Sequence, residues 1–288
     1  QKFGAEPFFY SDYTRLPLVP LKEETGPMIS QNFITGLILS KRLSLNHLMN
    51  LTATYETQHL VPDYIVASGI DKLSYEYLKL AYSYQANTLD YKHFPDNGVN
   101  YCLSASTSKL IRGTIETDTG KDVYLPGDET DFSFERFFDA RAWFRSYTSP
   151  SDKITLNFGW ELLLVTAADS ITTNNNFCYL GGIEAVTERS ITGIGFHPNQ
   201  IPVKALAGVR IGADLEIATD LHLSLEGDIF GIQEPDRLNG ASILGGYSIG
   251  LGYLSIAGPI RVGVMHGIYN RELLYKPVKG YVSIGFTF

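Results

Sequence analysis

From Asn32 to the last residue, apolar and polar positions alternate with a period of two in stretch after stretch, the mark of strands with two unlike faces. Strands are predicted over 33–42 and 45–57, meeting near Leu43-Ser44; in the second, Leu45, His47, Met49, Leu51, Ala53 and Tyr55 share a face opposite Asn50, Thr52, Thr54 and Glu56. A second pair covers 75–89 and 98–111; in the first strand Leu78, Leu80, Tyr82 and Tyr84 oppose Lys79, Ser83 and Gln85, and in the second Val99, Tyr101, Leu103 and Ala105 oppose Asn100, Cys102, Ser104, Ser106 and Ser108. A third covers 134–147 and 153–167 across Ser-Pro-Ser-Asp, a turn sequence with Pro and Asp in place. Its second member sets Ile154, Leu156, Phe158, Trp160, Leu162 and Leu164 against Thr155, Asn157, Gly159 and Glu161. Strands over 205–218 and 221–230 meet at Thr219-Asp220, and strands over 242–256, 260–269 and 279–288 complete the series, with a tight turn at Ala257-Gly258-Pro259.

Between these strands, tight turns alternate with longer polar connections, such as the acidic, Gly/Pro-bearing stretch between Ile111 and Phe134. That asymmetry is the one found in barrels that cross an outer membrane. The stretch 170–200 is less regular: a polar Thr-Thr-Asn-Asn-Asn precedes Phe177-Cys178-Tyr179-Leu180-Gly181-Gly182, read as one or two further strands with a loop folded into the lumen. The first thirty residues hold four prolines and read as an irregular linker or rim segment, with a short strand over 6–13 and a plug, linker or rim piece over 16–27. The expected organisation is therefore a 1–30 segment followed by a barrel over 31–288.

The final strand decides which solvent the apolar faces meet. Val282, Ile284, Phe286 and Phe288 form one face, and Tyr281, Ser283, Gly285 and Thr287 the other, with no polar tail after Phe288. A soluble sandwich would carry Lys and Glu on its second face; a Tyr/Ser/Gly/Thr face suits a wet or crowded barrel lumen, with Val, Ile and Phe in hydrocarbon. The fold class expected is all-β: a transmembrane antiparallel barrel of an even number of strands near 14, with 12 and 16 both open. In lipid each unpaired backbone group costs several kcal/mol, so the terminal strand is expected to pair with an early one.

Composition sharpens this in a few places. The 288 residues are 44% hydrophobic and 19% charged, with mean hydropathy −0.03, and no apolar run approaches the length of a membrane helix. Even the most apolar patch, 160–168, is interrupted at Glu161. A net charge of −8 gives no basic footprint for nucleic acid. Eighteen Tyr and sixteen Phe against two Trp would supply aromatic girdles. Cys102 and Cys178 either pair in an oxidising compartment or are two separate small apolar residues. There is no zinc spacing, the six His are scattered, and no metal or cofactor is expected. The chain starts at Gln1 without a secretion signal, as a processed protein or the C-terminal piece of a longer one would.

Three segments of the last third, Gly250-Leu251-Gly252-Tyr253, Gly258-Pro259-Ile260-Arg261 and a terminal strand ending in Phe288, resemble the C-terminal end of the bacterial surface-antigen barrels, the outer-membrane assembly and two-partner secretion superfamily. Phe177 to Gly182 and the strand pair around 206–217 and 221–230 follow in a similar order. Within that superfamily the chain looks most like barrels fused behind patatin-like phospholipases; the resemblance covers roughly 177–288, and the first half only in style. Assembly-type members carry an Arg-Gly-Phe/Tyr motif on a loop folded into the lumen. Here the corresponding Ile191-Thr192-Gly193-Ile194-Gly195-Phe196-His197 lacks the arginine, and Arg189 lies outside that setting. The resemblance therefore implies a bacterial outer-membrane barrel that anchors, and would carry across, an N-terminal phospholipase domain absent from this chain. It also implies that Val282, Ile284, Phe286 and Phe288 form the signal read by the barrel-assembly machinery. Its partners would be outer-membrane lipids, that machinery and other envelope proteins. The rival is a stand-alone passive channel, or a subunit of an assembly or secretion complex.

No catalytic residue is assigned. The hydrolase pattern Gly-x-Ser-x-Gly occurs at Gly246-Tyr247-Ser248-Ile249-Gly250, but alternation continues through it and no helix follows, whereas a nucleophilic serine needs a sharp strand-to-helix turn. A patatin dyad would need Asp-Gly-Gly or Asp-Gly-Ala, and neither is present. Arg210, Asp214, Glu216, Glu226, Asp228 and Arg261 all fall on the face expected to point inward, either as a charge network filling the lumen or as a selectivity device. His222 and His266 are read as packing residues.

Overall fold

A computed structural model describes residues 3–16, 28–62, 70–91, 93–117, 119–126, 136–166, 177–183, 190–234, 241–255, 258–269 and 278–285. Twelve strands run in chain order in one antiparallel wall: β1 (Phe3–Leu16), β2 (Met28–Ser44), β3 (His47–Pro62), β4 (Ile70–Asn87), β5 (Gly98–Thr117), β7 (Arg136–Ser151), β8 (Ile154–Thr166), β12 (Ala205–Ala218), β13 (Leu221–Gln233), β14 (Ala241–Ser255), β15 (Gly258–Tyr269) and β16 (Lys279–Ile284). β6 (Gly120–Tyr124) extends the same sheet from the far end of β5. Three short strands, β9 (Cys178–Leu180), β10 (Ser190–Ile191) and β11 (Ile201–Val203), make a small separate sheet within the 177–203 segment. The all-β antiparallel expectation holds, with a strand number inside the predicted range. No helix among the described residues is long and apolar enough to cross a membrane.

The wall is inside out by the standards of a soluble domain. On β8, Ile154, Leu156, Phe158, Leu162 and Leu164 are 41–56% exposed, while Thr155 and Glu161 between them are buried. β12 to β15 repeat the pattern, with Val209, Ile211, Leu225, Ile229, Ile249, Leu251, Val262 and Val264 outward. Soluble monomers rarely expose contiguous apolar patches above a few hundred Å². From Ile154 to Leu164, ten residue steps of about 3.3 Å, tilted by about 40°, rise about 25 Å, the height of the lipid-facing band of a membrane barrel. Hydrocarbon is the solvent this surface matches.

Four expectations need correction. The 1–30 segment is not irregular throughout, because β1 pairs with β2 along fourteen residues, from Phe3↔Lys41 to Leu16↔Met28. Pro7 is tolerated there because β1 has no second neighbour among the described residues; of the predicted 16–27 piece, Leu16 belongs to β1 and the rest lies outside the described residues. The turn after β2 is Leu45-Asn46, two residues later than expected, with a register shift between Arg42 and Ser44. The stretch after Ile111 is not wholly loop: the register shifts at Glu76/Tyr77, leaving Ile111 as an extra residue, and β5 continues to Thr117 before β6 folds back on it. One extra residue reverses which face a strand presents. Past Ile111 the faces of β5 are exchanged, so Ile115 turns inward and packs on a cluster of Leu60, Leu73, Tyr75, Tyr77, Leu110 and Phe137 that the alternation of their own strands already places inside. Finally, β16 pairs only with β15 among the described residues, through Ile260↔Ile284 to Met265↔Lys279. The closure expected between the terminal and an early strand is thus not present among the described residues, where β1 and β16 are the two ends of the strand order.

Candidate functional site in the lumen

The inner face of β8 and β12 to β15 does not meet an empty lumen. The described residues 177–183 and 190–203 lie on it, as expected of a loop folded inward. Leu163, Val165, Leu206, Phe230, Ile232 and Leu244, all inward residues of the wall, form one buried cluster with Cys178, Leu180, Ile191, Phe196, Ile201 and Val203 of the loop. Leu180, Ile191, Ile194 and Val203 have no exposed surface. Cys102 and Cys178 form no disulfide with each other and are buried at separate places, in the wall and in this loop.

Deeper in the lumen, polar chemistry takes over. Arg210 of β12 and Asp228 of β13 face each other across the strand pair and form an ion pair, Nη2 to Oδ2, of 3.1 Å. The same guanidinium donates to the Thr192 carbonyl at 3.0 Å, and the same carboxylate oxygen accepts from the Ile194 amide at 2.9 Å. One donor and one acceptor of the loop backbone are thus satisfied by a wall-borne pair, which is what burial of a bend requires. Gly195 has φ +84°, and a Cβ there would lie 2.2 Å from the Gly267 amide nitrogen. A Cβ at Gly246 would lie 2.0 Å from the Ile194 carbonyl oxygen. The bend of the loop and the two wall glycines fit by the absence of side chains.

Two further inserts continue this track toward the short-turn end. Tyr281 of β16 lies across Gly263 and Gly250, where added Cβ atoms would come within 2.7 and 2.3 Å of it, and its hydroxyl is hydrogen-bonded to Ser248. Below it, Phe94 of the 88–97 turn stacks on His222, with centroids 4.2 Å apart and 5° between planes, while the Arg261 guanidinium lies 4.8 Å from its ring centre. Gly252 leaves the room for that ring. Asp90 holds the turn by accepting from the amides of Tyr91, Asp96 and Asn97, and Asp96 accepts from the Thr155 hydroxyl at 2.9 Å. The turn is therefore tied to both β8 and β13–β15.

The Gly-x-Ser-x-Gly pattern now has a structural explanation. It lies in the middle of β14, where Gly246 receives the loop, and Ser248 and Gly250 receive Tyr281. Of the six charges assigned inward, Arg210 and Asp228 grip the loop, Asp214 hydrogen-bonds His222 at 2.5 Å, and Arg261 covers Phe94. Glu216 and Glu226 face the same way, opposite His222 and Ser248. His266 instead points outward, beside Tyr247. Of the residues expected to form an assembly signal, Val282 and Ile284 are 70% and 54% exposed on the outer face, and Phe286 and Phe288 lie outside the described residues. Sequence reasoning placed Tyr281 on the lumen face without giving it a role, and it missed Phe94. It also missed the β7 row of Arg141, Trp143, Arg145 and Tyr147, in which Arg141 pairs with Glu161 at 2.7 Å and Arg145 lies over Gly159. The period-2 spacing of that row was the available signal.

No protein-family model matches the chain, and no curated protein matches it in sequence. Among solved structures, it is similar to the crystal structure of BamA from Haemophilus ducreyi lacking POTRA domains 1–3, with a TM-score of 0.63 and 12% identity. The match covers 92% of this chain and 56% of that one, so the chain spans little more than half the length of its structural neighbour. At that identity the likeness shows the fold alone: a large antiparallel β-sheet of the transmembrane-barrel type.

Proposed function

We propose that the chain is the barrel domain of a bacterial outer-membrane protein whose lumen is occupied by its own loop, and that it anchors, and carries to the surface, a patatin-like phospholipase domain lying before Gln1. The observation that supports an anchor over a passive channel is the filled inner wall: the Arg210–Asp228 grip on the 192–194 backbone, with Phe94 wedged below it. The phospholipase portion rests on the sequence resemblance of the last third. Outer-membrane lipids would cover the exposed apolar band, and the assembly machinery would read Val282, Ile284, Phe286 and Phe288 before insertion. Phe288→Asp should then lower the membrane-inserted amount far more than it changes a barrel already folded.

The test is the intact mass of the native protein extracted from outer membranes. A mass well above the 32.0 kDa of this chain, with a phospholipase sequence in the additional part, is expected. A mass near 32.0 kDa together with sustained ion conductance in planar bilayers would overturn the anchor reading in favour of a channel.

A further inference from the structure

On the outer face, the apolar band of β4, β5 and β7 ends at two cations. Lys109 of β5 and Arg136 of β7 stand directly opposite each other. Both are exposed, and both point outward, because their neighbours Ser108, Leu110 and Phe137 are buried on the inner side. Like charges facing each other across a strand pair destabilise it. Among the described residues no carboxylate pairs with either one. The nearby outward carboxylate, Glu76, is already engaged by Arg112 at 3.5 Å and by the Tyr55 hydroxyl at 2.7 Å.

Immediately on the lipid side of these cations the outward side chains are small. Thr107, Ala105 and Ala140 form a floor of small side chains, with Leu80, Phe138 and Leu164 standing beside it, each about half exposed. A pair of cations above an apolar trough is complementary to one amphipathic shape, an anionic head on a hydrocarbon chain.

We infer that Lys109 and Arg136 bind the phosphate group of a lipid in the leaflet at the long-loop end, with an acyl chain lying along the Ala105–Ala140 trough. A phosphate between the two cations replaces their mutual repulsion by two charge-assisted contacts. A free phosphate ion would use the cations but not the trough. The inference rests on the membrane reading of the barrel, not on the phospholipase domain.

The full chain is placed in nanodiscs of equimolar phosphatidylcholine and phosphatidic acid, and the lipids it retains on release are counted by native mass spectrometry. Retention of phosphatidic acid over phosphatidylcholine should fall about fivefold for each cation removed in Lys109→Gln/Arg136→Gln. It should be unchanged in Lys41→Gln/Arg42→Gln, which removes the same charge at the opposite rim, and unchanged by excess inorganic phosphate. Ala140→Phe, which fills the trough and keeps both cations, should also lower it. Full retention in the Lys109/Arg136 variant, equal loss in the Lys41/Arg42 variant, or displacement by inorganic phosphate would overturn the site, and full retention in Ala140→Phe would overturn the acyl-chain half. Protease protection of the wild type in the same discs is scored first, so failure to insert counts against the membrane reading and is told apart from failure of the site.

Discussion

The two halves of the inner wall solve the same problem differently. Along β2 to β5 the inward side chains close their hydrogen bonds on the next strand: Ser40 donates to Asn50 at 2.8 Å, Asn50 reaches Ser83 at 3.5 Å, and Gln58 donates to Ser30 at 2.7 Å. Along β14 and β15 the inward row is instead largely glycine and serine, and its partners come from elsewhere in the chain: the loop tip, Tyr281 and Phe94. A wall that meets water pairs its polar groups locally. A wall that meets another piece of chain removes its own side chains to let the backbone approach. The contrast means that damage should be local on the first half and should propagate through the inserts on the second.

The most severe way to break the contrast is Asp228→Leu, which strands Arg210 in a nearly closed site. Removing one partner of a buried pair costs about 3–5 kcal/mol, readable as a shift in the urea unfolding curve of the barrel in vesicles. Arg210→Met together with Asp228→Leu should recover most of that loss but leave the loop without its backbone partners, so 184–200 should become more sensitive to protease than in the wild type. Full protection in the double variant would mean that the apolar cluster alone seats the loop. Next in size, Gly246→Val places methyl groups against the Ile194 carbonyl and should cost about 1–3 kcal/mol by overpacking, again with protease sensitivity in 184–200. Tyr281→Ala should cost about 1 kcal/mol through the lost cover over Gly250 and Gly263, visible as faster unfolding; an unchanged rate would remove the clasp on the last strand. The smallest effect is expected on the other half, where Asn50→Ala should cost no more than about 0.5 kcal/mol, because Ser40 and Ser83 can turn to water.

The parts legible in the sequence were those governed by neighbouring residues. β8, β12, β14 and β15 lie within two residues of their predicted bounds, since alternation depends only on which face meets lipid. The inward charges of β12 and β13 were legible for the same reason. The grip itself was not: Thr192 and Ile194 contribute backbone atoms, which no residue type announces, and their partners are 18 and 34 residues away. Phe94 lies in a connection with no period, so nothing local marked it as a wedge between His222 and Arg261. The β5 extension was hidden because alternation breaks at Ile111, and a break reads the same whether a strand ends or merely acquires a bulge.

That bulge has a meaning beyond strand length. Before it, counting from the short-turn end, β4 and β5 turn Leu78, Leu80 and Leu103 outward; after it, the outward residues include Glu76 and Arg112, held together at 3.5 Å. One surplus residue thus sets a level in the wall: without Ile111 the guanidinium of Arg112 would face the lumen, and with it Arg112 stands outward against Glu76, just past the rung of Lys109 and Arg136.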